Sequence, residues 1–279
     1  MNANLQPQTL VIKDWLDSAS RQLMNIGIPS ARLDAEIILA FALNKNRTYL
    51  HAFDNDVIDK KSAIIADNYI NLRLDRTPIA YIIGYKEFYG RKFIVSPKTL
   101  IPRPESEDII TILKQLLPTT YYLLDIGTGS GCLGITAKLE LPNLNVTLTD
   151  ISADALVIAG KNAKKHSAKV SIIQTNLLSN YSIKTDIIIA NLPYVDKTWD
   201  RSPETDFEPK VALFADNQGL SIIKKLITQA AKLLHVGGYL IIEADPNQHA
   251  SLIQFANKLS FVVVDKLNYA IAFERKASD

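Results

Sequence analysis

Apolar positions in the N-terminal part of the chain recur at helical rather than strand spacing. Leu10, Leu16, Leu23 and Ile26 fall on roughly one face, and Gly27 is a stop signal. Ser30 is placed to cap a second helix, on which Leu33, Ile37 and Phe41 repeat near the helical period. A further helix is expected over 61–72. Thr77-Pro78 then opens another, with Thr as the cap and Pro in the first turn, ending near Gly84. The sum is a small bundle of four or five helices. From Glu87 the period changes. Phe88-Tyr89, Gly90-Arg91 and Phe93-Ile94-Val95 predict a short hairpin, and Pro97, Pro102 and Pro104 punctuate a rigid connector. Strand-like runs at 122–126, 145–149, 170–174, 186–190 and 239–243 follow, with helical segments near 131–140, 152–165 and 219–234 between them. That alternation predicts a parallel sheet covered on both faces. At the end, 261–267 and 269–274 are separated by Asn268 alone, which predicts a closing antiparallel hairpin.

The expected organisation is a helical domain over 1–85, a β-hairpin linker over 86–98 and an α/β domain over 99–279. The chain has 279 residues and is 47% hydrophobic, enough to bury a substantial core. Its formal net charge is +2, and residues 1–85 carry nine basic and nine acidic side chains. No basic stripe of the kind that tracks phosphates is present, so direct nucleic-acid contact is not expected. Asp14, Asp17, Lys60 and Lys61 are ordinary solvated surface on this reading. The helical bundle has no glycine-rich loop or catalytic cluster, which leaves it a scaffold or a docking module. A single cysteine, Cys132, excludes an internal disulfide. Met1-Asn2-Ala3-Asn4 opens no signal peptide, and no apolar run approaches the length of a membrane span. A cytoplasmic monomer is the expectation. His51, His166, His235 and His249 are scattered without ligand spacing, so no metal site is expected.

Two strand ends carry the candidate chemistry. Asp125-Ile126-Gly127-Thr128-Gly129-Ser130-Gly131 joins a strand to a helix, where missing side chains let a ligand approach the backbone and helix N–H groups are free. Gly129, Gly131 and Gly134 also satisfy the dinucleotide pattern G-x-G-x-x-G, so this loop alone does not separate two nucleoside cofactors. Asp150, ending the next strand, either accepts from ribose hydroxyls or caps the helix from Ser152. Asn176-Leu177, after the third strand, is placed to hold an adenine edge and face. Asn191-Leu192-Pro193-Tyr194 follows the apolar run 187–190. An Asn side-chain oxygen and a nearby backbone carbonyl make two acceptors aimed at one place. They suit a planar NH2 group that the Tyr194 ring can cover, which points to nitrogen methylation. Hydride transfer needs no such acceptor pair. Cys132 at the helix start is better suited to core packing than to an activated thiolate, because no partner base accompanies it.

Over nearly its full length the chain resembles the release factor glutamine methyltransferases of the HemK/PrmC type. The blocks that carry the resemblance are 30–36 (Ser-Ala-Arg-Leu-Asp-Ala-Glu), 76–84, 87–90, and 100–107 (Leu-Ile-Pro-Arg-Pro-Glu-Ser-Glu), then the glycine loop, Asp150, Phe207-Glu208-Pro209 and Ala212-Leu213. The family usually has Asn-Pro-Pro-Tyr, and here Leu192 stands at the second position. Leucine keeps the backbone carbonyl but lacks the stiffness proline imposes on itself and on Asn191. The resemblance implies a Rossmann-like class I fold with a mostly parallel seven-stranded sheet. It also implies S-adenosylmethionine as donor, held by Gly127, Thr128, Gly129, Ser130, Gly131, Asp150, Asn176, Leu177 and Asn191. Catalysis and substrate binding would fall to Asn191, Leu192, Pro193 and Tyr194. The implied substrate is the glutamine of the Gly-Gly-Gln motif in peptide chain release factors, and the product S-adenosylhomocysteine. Asn-Leu-Pro-Tyr is also similar to the motif of ribosomal RNA adenine dimethyltransferases, which keeps adenine amino methylation as the alternative. A nicotinamide oxidoreductase or a non-catalytic nucleotide-binding module stands further off.

Overall fold

The computed structural model describes residues 10–116, 121–179 and 181–277, and the reading of Met1-Asn2-Ala3-Asn4 lies outside them. The chain divides into two compact units, one of the described residues up to Gly84 with Pro203–Phe207, the other of Tyr85–Ser202 and Glu208 onward.

The first unit holds α1 (Ile12–Asn25), α2 (Ala31–Ala42), α3 (Arg47–Ala52), α4 (Lys60–Leu74) and α5 (Ile79–Ile83). Its core is built from Trp15, Leu16, Leu23, Ala35, Ile38, Leu39, Leu50 and Ile70 among others. The buried faces are offset from the apolar stripes read in the sequence. Leu10 precedes α1 and Ile26 follows it, and both are exposed, as are Leu33 and Phe41 on α2. On α2 the offset arises because two acids turn inward. Asp34 is buried against Arg73 at 2.7 Å, and Glu36 accepts from Arg32 and Arg47. Ser30 occupies the N-cap of α2 without a side-chain cap bond, and at α5 the N-cap is Pro78 rather than Thr77. Gly84 ends α5 in the left-handed region, φ 78°. The short 3-10 turn Pro203–Phe207 joins this unit through Glu204, which accepts from Arg73 at 2.9 Å and Arg76 at 3.4 Å.

The second unit begins with β1 (Tyr85–Phe88) and β2 (Arg91–Ile94), an antiparallel pair. Tyr89 and Gly90 both take positive φ, 49° and 70°, as a two-residue I′ turn requires. Then come α6 (Glu107–Leu116), β3 (Tyr122–Ile126), α7 (Cys132–Glu140), β4 (Asn145–Asp150), α8 (Ala153–Lys165), β5 (Ser171–Gln174) and β6 (Thr185–Ala190). After the return to this unit follow α9 (Lys210–Leu213), α10 (Ser221–Leu233), β7 (Leu234–Glu243), α11 (Pro246–Asn257), β8 (Phe261–Leu267) and β9 (Ala270–Arg275). α6 and α11 were not anticipated, and β7 begins directly where α10 ends.

The sheet has seven strands in the order β5-β4-β3-β6-β7-β9-β8. β5 through β7 are parallel, and β9 pairs antiparallel with both β7 and β8, as the α/β reading with a closing hairpin expects. Alternation along the buried strands feeds two cores. Leu124, Ile188, Leu240 and Ile242 meet α10 and α11 on one face; Leu123, Ile187, Ile189 and Ile241 meet α6 and α7 on the other, together with Phe88 and Phe93 of the hairpin. Each such side chain contributes about 1.5–3 kcal/mol on burial. Strand order reverses beside β3, because β4 lies on one side of it and β6 on the other. In open α/β sheets, ligands bind at the carboxyl ends of strands flanking such a switch point.

Candidate active site

The β3 and β6 ends open into one cavity of about 600 Å³, within the range that cofactor-sized ligands occupy. Gly127, Thr128, Gly129, Ser130, Asp150, Asn176, Leu177, Asn191, Leu192 and Pro193 all line it. Gly131 and Tyr194, also read as site residues, are not among the lining residues. Gly131 is the N-cap of α7, φ 82°, where a Cβ would crowd Ile135 and Ala159.

The glycine loop is held from beneath and from the side. Asp125 is fully buried, and its Oδ2 accepts from Thr128 Oγ1 at 2.5 Å and Gly134 N at 2.9 Å. Burial, opposed by those two bonds, pushes its carboxyl up to about 7. A side chain at Gly134 would overlap Leu148 and the Asp125 carboxylate, so glycine there permits close packing of α7 on the sheet. Asp150 ties β4 to the loop: Oδ2 accepts from Gly129 N and Oδ1 from Ser152 N, both at 2.9 Å. The helix cap itself is Ser152, whose Oγ accepts from Ala155 N. A carboxylate offers about four acceptor sites, so these two bonds leave Asp150 able to accept from a vicinal diol. Its burial raises the carboxyl above the usual range. Asn162, buried in α8, joins loop and hairpin by donating to Ser130 O at 2.8 Å and Ile94 O at 2.9 Å. Burial pushes the Cys132 thiol up to about 12, so it carries no thiolate at neutral pH.

At the β6 end a polar network crosses three elements. Asn191 Nδ2 donates to Ser106 Oγ at 2.8 Å, and Ser106 Oγ donates to Glu243 Oε2 at 2.5 Å. Tyr194 OH donates to the other oxygen, Glu243 Oε1, at 2.9 Å. One carboxylate at the tip of β7 thus braces both ends of Asn191-Leu192-Pro193-Tyr194. Burial, working against the donors Ser106 and Tyr194, raises the Glu243 carboxyl; burial and the neighbouring Glu243 raise the Tyr194 phenol. Leu192 packs with its Cδ2 2.7 Å from where a Cβ on Gly127 would lie, so the two loops interlock. Glu208, buried, accepts from Ile101 N at 3.0 Å and from Arg103 at 2.5 Å, which fixes the connector along the cavity wall. Sequence reasoning did not single out Ser106 or Glu243. The available signal was a carboxylate closing an otherwise apolar buried strand at Ile241-Ile242-Glu243.

Two family models match. One, described as PrmC N-terminal domain, covers residues 14–84; the other, a methyltransferase small domain, covers 107–203. The release factor glutamine methyltransferase of Koribacter versatilis is 39% identical over 251 residues, covering 85% of this chain and 89% of that protein. The chain belongs to the release factor glutamine methyltransferase family. The Staphylococcus aureus member is 35% identical, with 86% of this chain and 88% of that one covered. Among solved structures, a Pyrococcus furiosus methyltransferase superposes with a TM-score of 0.55 at 18% identity, covering 76% of this chain and 100% of that one. That likeness confirms the class I fold. Among the described residues, no helix is long and apolar enough to cross a membrane.

Proposed function

We propose that this chain methylates the side-chain amide nitrogen (N5) of the glutamine in the Gly-Gly-Gln motif of peptide chain release factors, with S-adenosylmethionine as donor and S-adenosylhomocysteine as product. The observation that carries this reading is the Asn191 carboxamide. Its NH2 group is taken by Ser106, its oxygen accepts nothing among the described residues, and it lines the same cavity as Asp150 and the glycine loop. S-adenosylmethionine would supply, when bound, an electrophilic methyl group: the S–CH3 bond breaks as the N–CH3 bond forms, the neutral thioether of S-adenosylhomocysteine leaves, and the amide nitrogen gives up one proton to solvent.

The residues present suit that donor. Gly127 and Gly129 let a ligand lie close to the backbone, Asp150 accepts from the ribose hydroxyls, and Asn176 and Leu177 take the adenine edge and face. An amide nitrogen is a weak nucleophile, because its lone pair is delocalised into its carbonyl. Asn191 Oδ1 and the backbone carbonyl of Leu192 accept the two amide hydrogens, which aligns the nitrogen and favours the positive charge that grows on it. Pro193 shapes the slot and keeps water out, while Tyr194, read as its partner but not lining the cavity, anchors the end of the loop through Glu243. The helical unit, expected over 1–85 and bounded by Gly84 with Pro203–Phe207 added, serves as the docking module, and the hairpin expected as an 86–98 linker belongs to the second unit.

Incubation with labelled donor, intact release factor and ribosomal RNA side by side tests the assignment. Label on the release factor glutamine is expected; label on RNA adenine alone would replace this reading with amino methylation of nucleic acid.

A further inference from the structure

We infer that Ser106 and Glu243 are positioning residues that set the sense of the Asn191 carboxamide, so that its oxygen and not its NH2 group is offered to the substrate amide. This rests on the methyl-transfer reading above and adds to it the groups that prepare the acceptor.

A carboxamide is nearly symmetric in shape, and packing alone does not choose between its two ends. Hydrogen-bond direction does. Both oxygens of Glu243 accept O–H donors, from Ser106 at 2.5 Å and Tyr194 at 2.9 Å. An ionised carboxylate satisfies both, because it only accepts. The single hydroxyl proton of Ser106 is thereby committed to Glu243, and Ser106 can only accept from Asn191. The partner at 2.8 Å must then be Nδ2, which leaves Oδ1 on the other side of the amide. Polarisation along the chain from carboxylate to hydroxyl to amide also makes Oδ1 a stronger acceptor. Without the Ser106 hydroxyl the amide loses its 2.8 Å acceptor and keeps only its hydrogen bond to Glu243, so its sense is held less firmly and an NH2 group can turn toward the substrate NH2.

Three variants test this, with donor affinity by calorimetry, melting temperature, and kcat and KM on intact release factor. Ser106→Ala should lose about tenfold to a hundredfold in kcat, the scale for a misplaced reacting group, with donor affinity retained and a modest drop in melting temperature from the unpaired buried Glu243 oxygen. Ser106→Thr, which restores a hydroxyl, should recover most of that loss. Wild-type kcat in Ser106→Ala beside an inactive Asn191→Ala would overturn the positioning role and leave the methyl-transfer reading intact. Full kcat in both would sink the reading itself. A Ser106→Ala loss matched by falls in melting temperature and donor affinity, and not recovered by threonine, would reduce Ser106 to a structural residue.

Discussion

Gln248 Nε2 donates to the backbone carbonyl of Tyr194 at 2.9 Å, binding the last residue of the acceptor loop to the first turn of α11. The same nitrogen donates to Gln218 O at 2.7 Å, and Gln248 Oε1 accepts from Asp245 N at 3.1 Å. Gln248 is therefore both the returning half of a capping box and a brace for the loop. Gln248→Glu keeps the cap acceptor and removes the donor. Leaving a buried carbonyl unpaired typically costs about 1–3 kcal/mol. Urea unfolding should register that loss, and turnover should fall with donor affinity retained.

Gly219 lies against the same carbonyl. A Cβ there would overlap Tyr194 O and the Gln248 amide, at a φ of 80°. Gly84 has nearly the same φ, 78°, with nothing near its missing Cβ. Gly84→Ala should pay only the left-handed penalty of about 1–2 kcal/mol and keep its activity. Gly219→Ala should displace the loop and lose activity. Comparing melts and initial rates of the pair separates backbone strain from collision.

Asn191 and Asp150 line one cavity, and on the proposed reading they serve different partners, the substrate amide and the ribose of the donor. Asn191→Ala should bind donor normally and lose on the order of a hundredfold or more in turnover, the usual scale for a group that stabilises charge in the transition state. Asp150→Ala should instead weaken donor binding. Calorimetric titration with rates at saturating donor distinguishes them; equal donor affinity in Asp150→Ala would remove it from the ribose assignment.

Leu192 tests whether a backbone carbonyl or a side chain matters at the second loop position. Its side chain is buried in the core beneath α10 and α11. Leu192→Ala keeps the carbonyl, so kcat at permissive temperature should stay near wild type. Stability should drop by about 2–5 kcal/mol, the range for a leucine truncated in a core. Loss of kcat in a folded, donor-bound variant would count against the carbonyl.

Asp125 makes stability depend on pH. Its carboxyl rises from 3.8 to about 7, mainly through burial, with Thr128 and Gly134 pulling it down. Between those values the unfolded chain has lost the proton and the native state keeps it. The native state thus binds more protons, and stability falls as pH rises through that window, by up to about 1.4 kcal/mol per unit. Above about 7 the contribution levels off. Asp125→Asn should make urea-unfolding stability fall less steeply as pH rises toward about 7, the remaining slope coming from groups such as Asp150 and Glu243 that burial also raises.

The strand ends that form the cavity were legible because buried parallel strands are unbroken apolar runs, and the glycine loop and Asn191 punctuate them. The face of α2 was not, because Asp34 and Glu36 look solvated until Arg73 and Arg47 are seen against them. α6 carried signals that went unused, with Pro104 before it and Glu107 and Asp108 in its first turn; α11 had Asp245-Pro246 and Gln248. Ser106 and Glu243 were hidden for another reason. They lie 137 positions apart, and only the folded sheet makes one the acceptor for the other.

Glu204 reaches Arg73 across 131 positions of chain. The helical unit is thus stitched from two separate stretches, and no single cut releases it whole. A fragment beginning at Tyr85 would part Glu204 from both of its arginines, and a fragment ending at Gly84 would keep the arginines without the acid. Chimeras meant to transplant this unit therefore need a double graft, with Pro203–Phe207 travelling alongside the helices.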